Sequence, residues 1–195
     1  MLEISKLTTK DLISDKNFKE IIEITLTCID KANVSKALAL LLERKVKESN
    51  LKEFPDYLRA YQDLILLLKI EALPLLKDEE VIRFIEEHAL EALKHPKFFD
   101  KLEDKLFLIP IIFRDELLSK IREALRRNRQ RLGKKTLKII QTRDPQPPLV
   151  CVWLLDYDNG FGSGRHSDFE RELYLKESPN PKILNTKEKQ LLKKL

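Results

Sequence analysis

Four prolines, Pro55, Pro74, Pro96 and Pro110, fall between apolar stripes of helical period in the first 133 residues. Proline fixes its own φ and has no N–H to donate, so each one starts a helix or stops one. Phe18, Ile21, Ile22, Thr25 and Ile29 predict a first helix near 17–31. Asn33 can cap a second, carried by Val34, Leu38, Leu41, Leu42 and Val46 and ending near 49–50. Pro55 suits the first turn of a third, whose stripe is Leu58, Tyr61, Leu64, Ile65, Leu68 and Ala72 before Pro74 stops it. Asp78, Glu79 and Glu80 open a fourth, with Val81, Ile85, His88, Ala89, Ala92 and Leu93 on its apolar face. A fifth follows Pro96 near 97–108. A sixth follows Pro110, with Ile111, Leu118, Leu125 and Leu132 at seven-residue spacing and Gly133 at the place of a C-terminal cap.

Six helices with short connections predict an all-α chain. Two architectures fit: a six-helix bundle, or three hairpins resembling a HEAT- or armadillo-like array, in either case with a small C-terminal helical segment. The composition agrees, since 43% of the 195 residues are apolar and only 4 are Gly. The seven-residue spacing of the sixth helix also fits a coiled-coil dimer, although ordinary core packing gives the same spacing. The most apolar run, 64–76, is interrupted by Lys69, Glu71 and Pro74 and is shorter than the ~20 residues a membrane span needs. The first residues lack the basic and apolar regions of a signal peptide. Cys28 and Cys151 sit in apolar stretches and read as buried, reduced thiols. The expectation is a cytoplasmic protein with no membrane contact.

Charge is concentrated. Residues 120 to 143 carry ten Lys or Arg and one acid, Glu123, within a chain of net charge +5, which leaves the remainder net acidic. Arg122, Arg126 and Arg129 have three- and four-residue spacing and are expected on one face of the sixth helix. Arg127, Arg131, Lys134, Lys135 and Lys138 extend the stripe. Guanidinium groups bind phosphate with two oxygens at once, so these eight residues are candidates for polyanion binding. Structured RNA is the form to expect, because no aromatics interleave for base stacking. A solvated face paired with neighbouring acids explains the stripe equally well.

After the sixth helix the chain changes character. Asp144-Pro-Gln-Pro-Pro148 reads as a stiff linker, which divides the chain into a helical domain at 1–133, a basic and Pro-rich linker at 134–148 and a C-terminal segment at 149–195. The run 149–155 suits a strand or a two-turn helix. Ser167-Asp-Phe-Glu170 fits a capping box, and Asn185 to Glu188 opens a last helix. The segment 153–171 holds the only Trp and three of the four Gly. Its motifs fail on spacing: a calcium loop starting at Asp156 would need Gly and Glu where Phe161 and Ser167 stand. Gly160-Phe-Gly-Ser-Gly does not continue to the Gly-Lys-Ser/Thr of a phosphate loop, leaving only an anion near Arg165 and His166 at the start of the Ser167 helix. His88 reads as a core histidine and His95 as a helix-end residue. No nucleophile elbow or metal-ligand spacing is present, so no catalytic residue, metal ligand or cofactor is expected.

Trp153-Leu-x-Asp156-Tyr157, then His166, Arg171, Tyr174-Leu175, Asn180 and Leu184, resembles the tail of uncharacterised helical proteins from candidate-phylum (ultrasmall) bacteria. The stretch from Arg114-Asp115 through Ala124-Leu125 to Asn128 is similar to the helix before that tail, and Leu149-Val-Cys-Val departs from it by being more apolar. The resemblance implies a short helix at Trp153 and an interaction module without an activity. It favours a non-catalytic adaptor whose segment docks on a protein partner through Trp153, Asp156, Tyr157, Phe161, His166, Arg171 and Tyr174, or folds back on the helices before it. The alternative is an RNA- or ribonucleoprotein-associated protein using the basic stripe.

Overall fold

The proline punctuation is realised. The computed structural model describes residues 3–140, 142–164 and 166–195, so Arg165 of the anion expectation lies outside the described residues. In chain order the helices are α1 (Thr9–Leu12), α2 (Asp15–Cys28), α3 (Ala32–Glu48), α4 (Pro55–Ala72), α5 (Asp78–Lys94), α6 (Phe98–Phe107), α7 (Ile111–Arg127), α8 (Val150–Phe161), α9 (Asp168–Glu177) and α10 (Thr186–Lys194). The protein is all-α: among the described residues, extended pairing is confined to two isolated bridges, Arg131 with Leu149 and Leu137 with Gln146. No described helix is long and apolar enough to cross a membrane.

The contacts divide the chain into two compact units, and not at 134–148. One unit comprises Met1–Lys77 with His95–Pro110; the other comprises Asp78–Lys94 with Ile111–Leu195. The sequence could not show this, because the chain leaves the second unit after α5 and re-enters it at α7.

In the first unit, α3 and α4 pack as an antiparallel pair around Leu38, Leu42, Tyr61, Ile65 and Leu68. Asn33 is not the cap of α3. It lies inside the helix, and Lys31 occupies the cap position without a side-chain bond. Tyr61 donates from its hydroxyl to the Leu12 carbonyl at 3.0 Å and meets Phe18 edge-on. Residues 4–12, which precede the first helix expected from the sequence, are tied down, with α1 opened by a Thr8–Asp11 capping box. The buried Glu71 carboxylate lies 3.3 Å from the Lys101 ammonium and 3.6 Å from that of Lys97.

In the second unit, α5 packs on α7, α7 on α8, α8 on α9, and α10 on both α9 and α5. The expected heptad on the sixth helix is corrected. Helix α7 ends at Arg127 and buries Leu117, Ile121 and Ala124, while Ile111 is 75% exposed. Leu132 is buried beyond the helix end. His88 explains the early end. Its backbone leaves the helical region (φ −133°, ψ 21°), which breaks the i→i−4 ladder of α5. The groups released are met by residues just after α7. The Asn128 amide donates to the Ile85 and Glu86 carbonyls at 3.0 and 2.9 Å, and Gln130 Oε1 accepts from Leu90 N at 2.7 Å. Asn128 is fully buried, and buried donors and acceptors require partners. His88 is itself 42% exposed by side chain, so it is not the core histidine expected. Cys28 is buried, Cys151 half-buried, and both thiols are free.

The basic, Pro-rich stretch is not a free linker. Leu137 and Gln146 exchange two backbone bonds of 2.8 Å, Leu132 N donates to Pro148 O at 2.8 Å, and Leu137 and Ile139 enter the core with Val150, Trp153, Leu184 and Leu192. Gly133 adopts φ +98°, where a Cβ would lie 2.7 Å from Leu184 Cδ2. From Val150 on, the run 149–155 is helical, with extended Leu149 at the N-cap; the resemblance implies a short helix at Trp153.

Candidate functional site

A pocket of ≈ 160 Å³ opens in the second unit. Helix α7 contributes Arg122, Leu125 and Arg126, one face at three- and four-residue spacing. Helix α8 contributes Trp153, Leu154, Tyr157 and Asp158; α9 contributes Arg171, Tyr174 and Leu175; Leu192, Lys193 and Leu195 come from the last turn of α10 and the residue after it, and Gly164 and His166 from the loop after α8. The floor is leucine and aromatic. Among the described residues, the charged side chains of the lining are those of Arg122, Arg126, Arg171, Lys193 and Asp158, with His166, Tyr157 and Tyr174 as the other titratable groups.

Trp153 forms the back wall. It is fully buried and donates from Nε1 to the Leu132 carbonyl at 2.8 Å, so of the two expected outcomes for Trp153 the segment folds back on its own chain, and the indole is not free to anchor a partner. Tyr174 is also buried, donating at 2.6 Å to Asp156 Oδ2. Burial first, and then this bond to a carboxylate, push its phenol pKa well above the ordinary tyrosine value. Asp156 Oδ1 accepts from Asn180 at 2.9 Å, and Asn180 pairs with both backbone groups of Lys138 at 2.9 and 3.0 Å. Asp156 is therefore a structural acceptor that joins α8, α9 and the basic stretch.

Tyr157 and Phe161 stack with centroids 5.2 Å apart, and the rings of Tyr174 and His166 meet Tyr157 edge-on at 4.8 and 4.5 Å. Edge-to-face contacts suit the ring quadrupoles. The side chain of His166 is 12% exposed, with Nδ1 3.9 Å from a Glu170 carboxylate oxygen. That carboxylate accepts from the backbone and hydroxyl of Ser167, which hold its pKa below the usual range. Among the described residues, the buried Tyr157 hydroxyl and His166 Nε2 make no hydrogen bond.

The cations differ in what they touch. Arg126 binds Asp158 through two nitrogens at 3.1 and 3.2 Å, cancelling the one lining carboxylate. Lys193 pairs with Glu172, and Arg171 donates to the Lys193 carbonyl at 3.3 Å. Arg122 is exposed and forms no ion pair among the described residues.

Five of the seven tail residues, Trp153, Tyr157, His166, Arg171 and Tyr174, thus line one pocket, while Asp156 and Phe161 support it from behind. Of the basic stripe, only Arg122 and Arg126 join them. Arg129 was expected on the same helical face, but it lies past the end of α7. Arg127 pairs with Glu86 at 3.2 Å, and Arg131 donates to the carbonyls of Gly133 and Lys134. Arg129, Lys134, Lys135 and Lys138 are exposed and without ion pairs among the described residues. Sequence reasoning did not name the other lining residues as a site, neither Leu125, Leu154, Leu175, Leu192 and Leu195 nor Asp158, Gly164 and Lys193. It also missed that the aromatic tail and the start of the basic stripe share a pocket. The three-residue steps from Arg122 to Leu125 and from Arg171 to Tyr174 were visible, but what faces them was not.

No protein-family model matches the chain, and neither a curated protein nor a solved structure shows significant similarity to it.

Proposed function

We propose that the chain is a non-catalytic α-helical adaptor, and that the pocket walled by its C-terminal aromatic segment is where a partner protein docks. The observation that supports this most is that two lining guanidiniums, Arg122 and Arg171, have no carboxylate partner among the described residues, and that Arg122 is the exposed one at the mouth of an apolar pocket. Exposed cations without partners are common, but one beside an apolar floor offers two different contacts to one ligand. The aromatic side chains act by shaping the pocket, since Trp153 and Tyr174 are committed to the core. We extend this reading to the tail resemblance, whose residues Asp156, Tyr174 and Asn180 form the buried network here.

The test is affinity capture with the intact chain and with Arg122→Glu, each with and without nuclease. A protein retained by the first, lost with the second and indifferent to nuclease is the expected result. Retention that disappears with nuclease favours the second reading, in which the exposed Arg129, Lys134, Lys135 and Lys138 contact RNA phosphates. That reading predicts an RNA affinity that falls with salt at a log–log slope of about −0.7 to −0.9 per phosphate contact. Replacing the four by Glu should abolish it.

A further inference from the structure

We infer that the occupant of this pocket is the carboxyl terminus of a partner chain whose last residue carries a large apolar side chain. The inference rests on the adaptor reading for the source of the ligand and on size and charge for its chemistry.

Size comes first. An apolar cavity of about 150 Å³ takes a benzene-sized group, whereas pockets for drug-sized ligands and cofactors run to about 300–1,000 Å³. At ≈ 160 Å³ this pocket has room for one leucine- or phenylalanine-sized group. Leu125, Leu154 and Leu175 supply an apolar lining for it.

Charge then narrows the choice. Asp158, the lining carboxylate, is already bound by Arg126, and Glu172 outside the lining holds Lys193. Glu170 is held by Ser167. Arg171 donates to the Lys193 carbonyl and has no carboxylate partner among the described residues, so Arg122 and Arg171 both remain for an incoming anion, and a planar guanidinium matches a carboxylate with two parallel N–H···O bonds. The ligand must therefore fill an apolar space and present an anion close beside it. An internal acidic residue has the anion but no apolar group, and an internal apolar residue has the reverse. A chain-terminal apolar residue has both on one Cα, and capture of a terminal carboxylate is a recurrent mode of peptide recognition.

The experiment uses the full chain and three pentapeptide probes: Gly-Ser-Gly-Ser-Phe with a free carboxylate, the same peptide as its carboxamide, and Gly-Ser-Gly-Ser-Gly with a free carboxylate. Binding is read by titration calorimetry and by the emission of Trp153, the only Trp in the chain and part of the pocket wall. The free Phe-ended peptide should bind and shift the emission. The carboxamide, the Gly-ended peptide and the Arg122→Glu variant should each weaken binding at least about tenfold, consistent with loss of one charge-assisted bond or one buried ring. The variant should keep the parent melting temperature, because Arg122 is exposed and unpaired. Arg122→Lys should retain part of the affinity.

Equal binding of acid and amide overturns the inference, as does equal binding of the Phe- and Gly-ended peptides. So does 3-phenylpropionate binding as tightly as the peptide, which would make the ligand a small acid. If no peptide binds but a protein partner is still captured through Arg122, the adaptor reading stands and the terminal carboxylate is wrong. If the peptides bind as expected and no protein is captured, the ligand chemistry stands and the adaptor reading falls.

Discussion

Trp153 shows how far a residue's prominence in the sequence can differ from its role in the fold. It is the single Trp, and a polar, Gly-rich stretch follows it from Asp156, so a partner anchor is a natural expectation. What makes it core is a carbonyl 21 residues upstream, at Leu132, which no local pattern announces. Trp153→Ala should destabilise the chain by about 3–5 kcal/mol, the usual cost of truncating a buried Trp. Trp153→Phe keeps most of the apolar contact but strands the Leu132 carbonyl, and should cost about 1–3 kcal/mol. Urea denaturation followed by circular dichroism measures both; an effect near zero for either would return Trp153 to the surface. Tyr174 carries a pH signature. Its folded pKa is raised above the unfolded value near 10, so the stability it contributes is fully present below pH 10 and is lost as pH rises beyond it. Wild-type melting temperature should therefore fall above pH 10, and Tyr174→Phe should fall less steeply there, after losing about 1–2 kcal/mol at neutral pH.

Helix ends were more legible than helix neighbours. The box at Ser167–Glu170 and the helix start at Asn185–Glu188 could be read from four residues each; both form, and the second is also closed by a capping box. The box at Thr8–Asp11 was not read, because it opens only a four-residue helix with no stripe to flag it. Ser167→Ala should cost about 1 kcal/mol at neutral pH, the typical loss of a cap. The same box sets the acid behaviour of Glu170. Its pKa is lowered by the Ser167 bonds, so its contribution is present above the unfolded value near 4.5 and is lost as pH falls through the folded one. The gap between wild type and Ser167→Ala should narrow when urea melts are repeated at pH 3.5. The end of α7 was misread for a different reason. Ile111, Leu118, Leu125 and Leu132 keep heptad spacing, yet the chain stops being helical at Arg127, where Asn128 and Gln130 serve the broken ladder at His88. The pattern that ended the helix lies forty residues away in sequence, in another helix.

At the scale of the whole molecule, the all-α class followed from periodicity and composition, but the division of the chain did not. Three prolines in five residues looked like a boundary. The flanking Leu132, Leu137, Ile139 and Val150 are instead core residues of the second unit, held by backbone bridges. A fragment ending at residue 148 keeps α5 and α7 but loses α8, α9 and α10. It should melt broadly and bind the dye ANS, whereas the full chain should melt cooperatively and bind little. A fragment as cooperative as the full chain would restore the boundary at 134–148.

The interruption of the second unit has a consequence for how the protein is made. All residues of the first unit exist once Pro110 has been added, whereas α5 closes against α10, where Lys194 Nζ reaches the Leu93 carbonyl at 3.0 Å across 101 residues. At translation rates of about 5–20 residues per second, α5 is synthesised roughly 5–20 s before the last helix that packs on it. Its apolar face, with Val81, Phe84, Ile85, Ala89 and Leu93, has only part of its cover during that interval. A nascent chain stalled between α7 and α10 should therefore be a better chaperone client than one stalled before α5, although it is the longer and nominally more complete of the two.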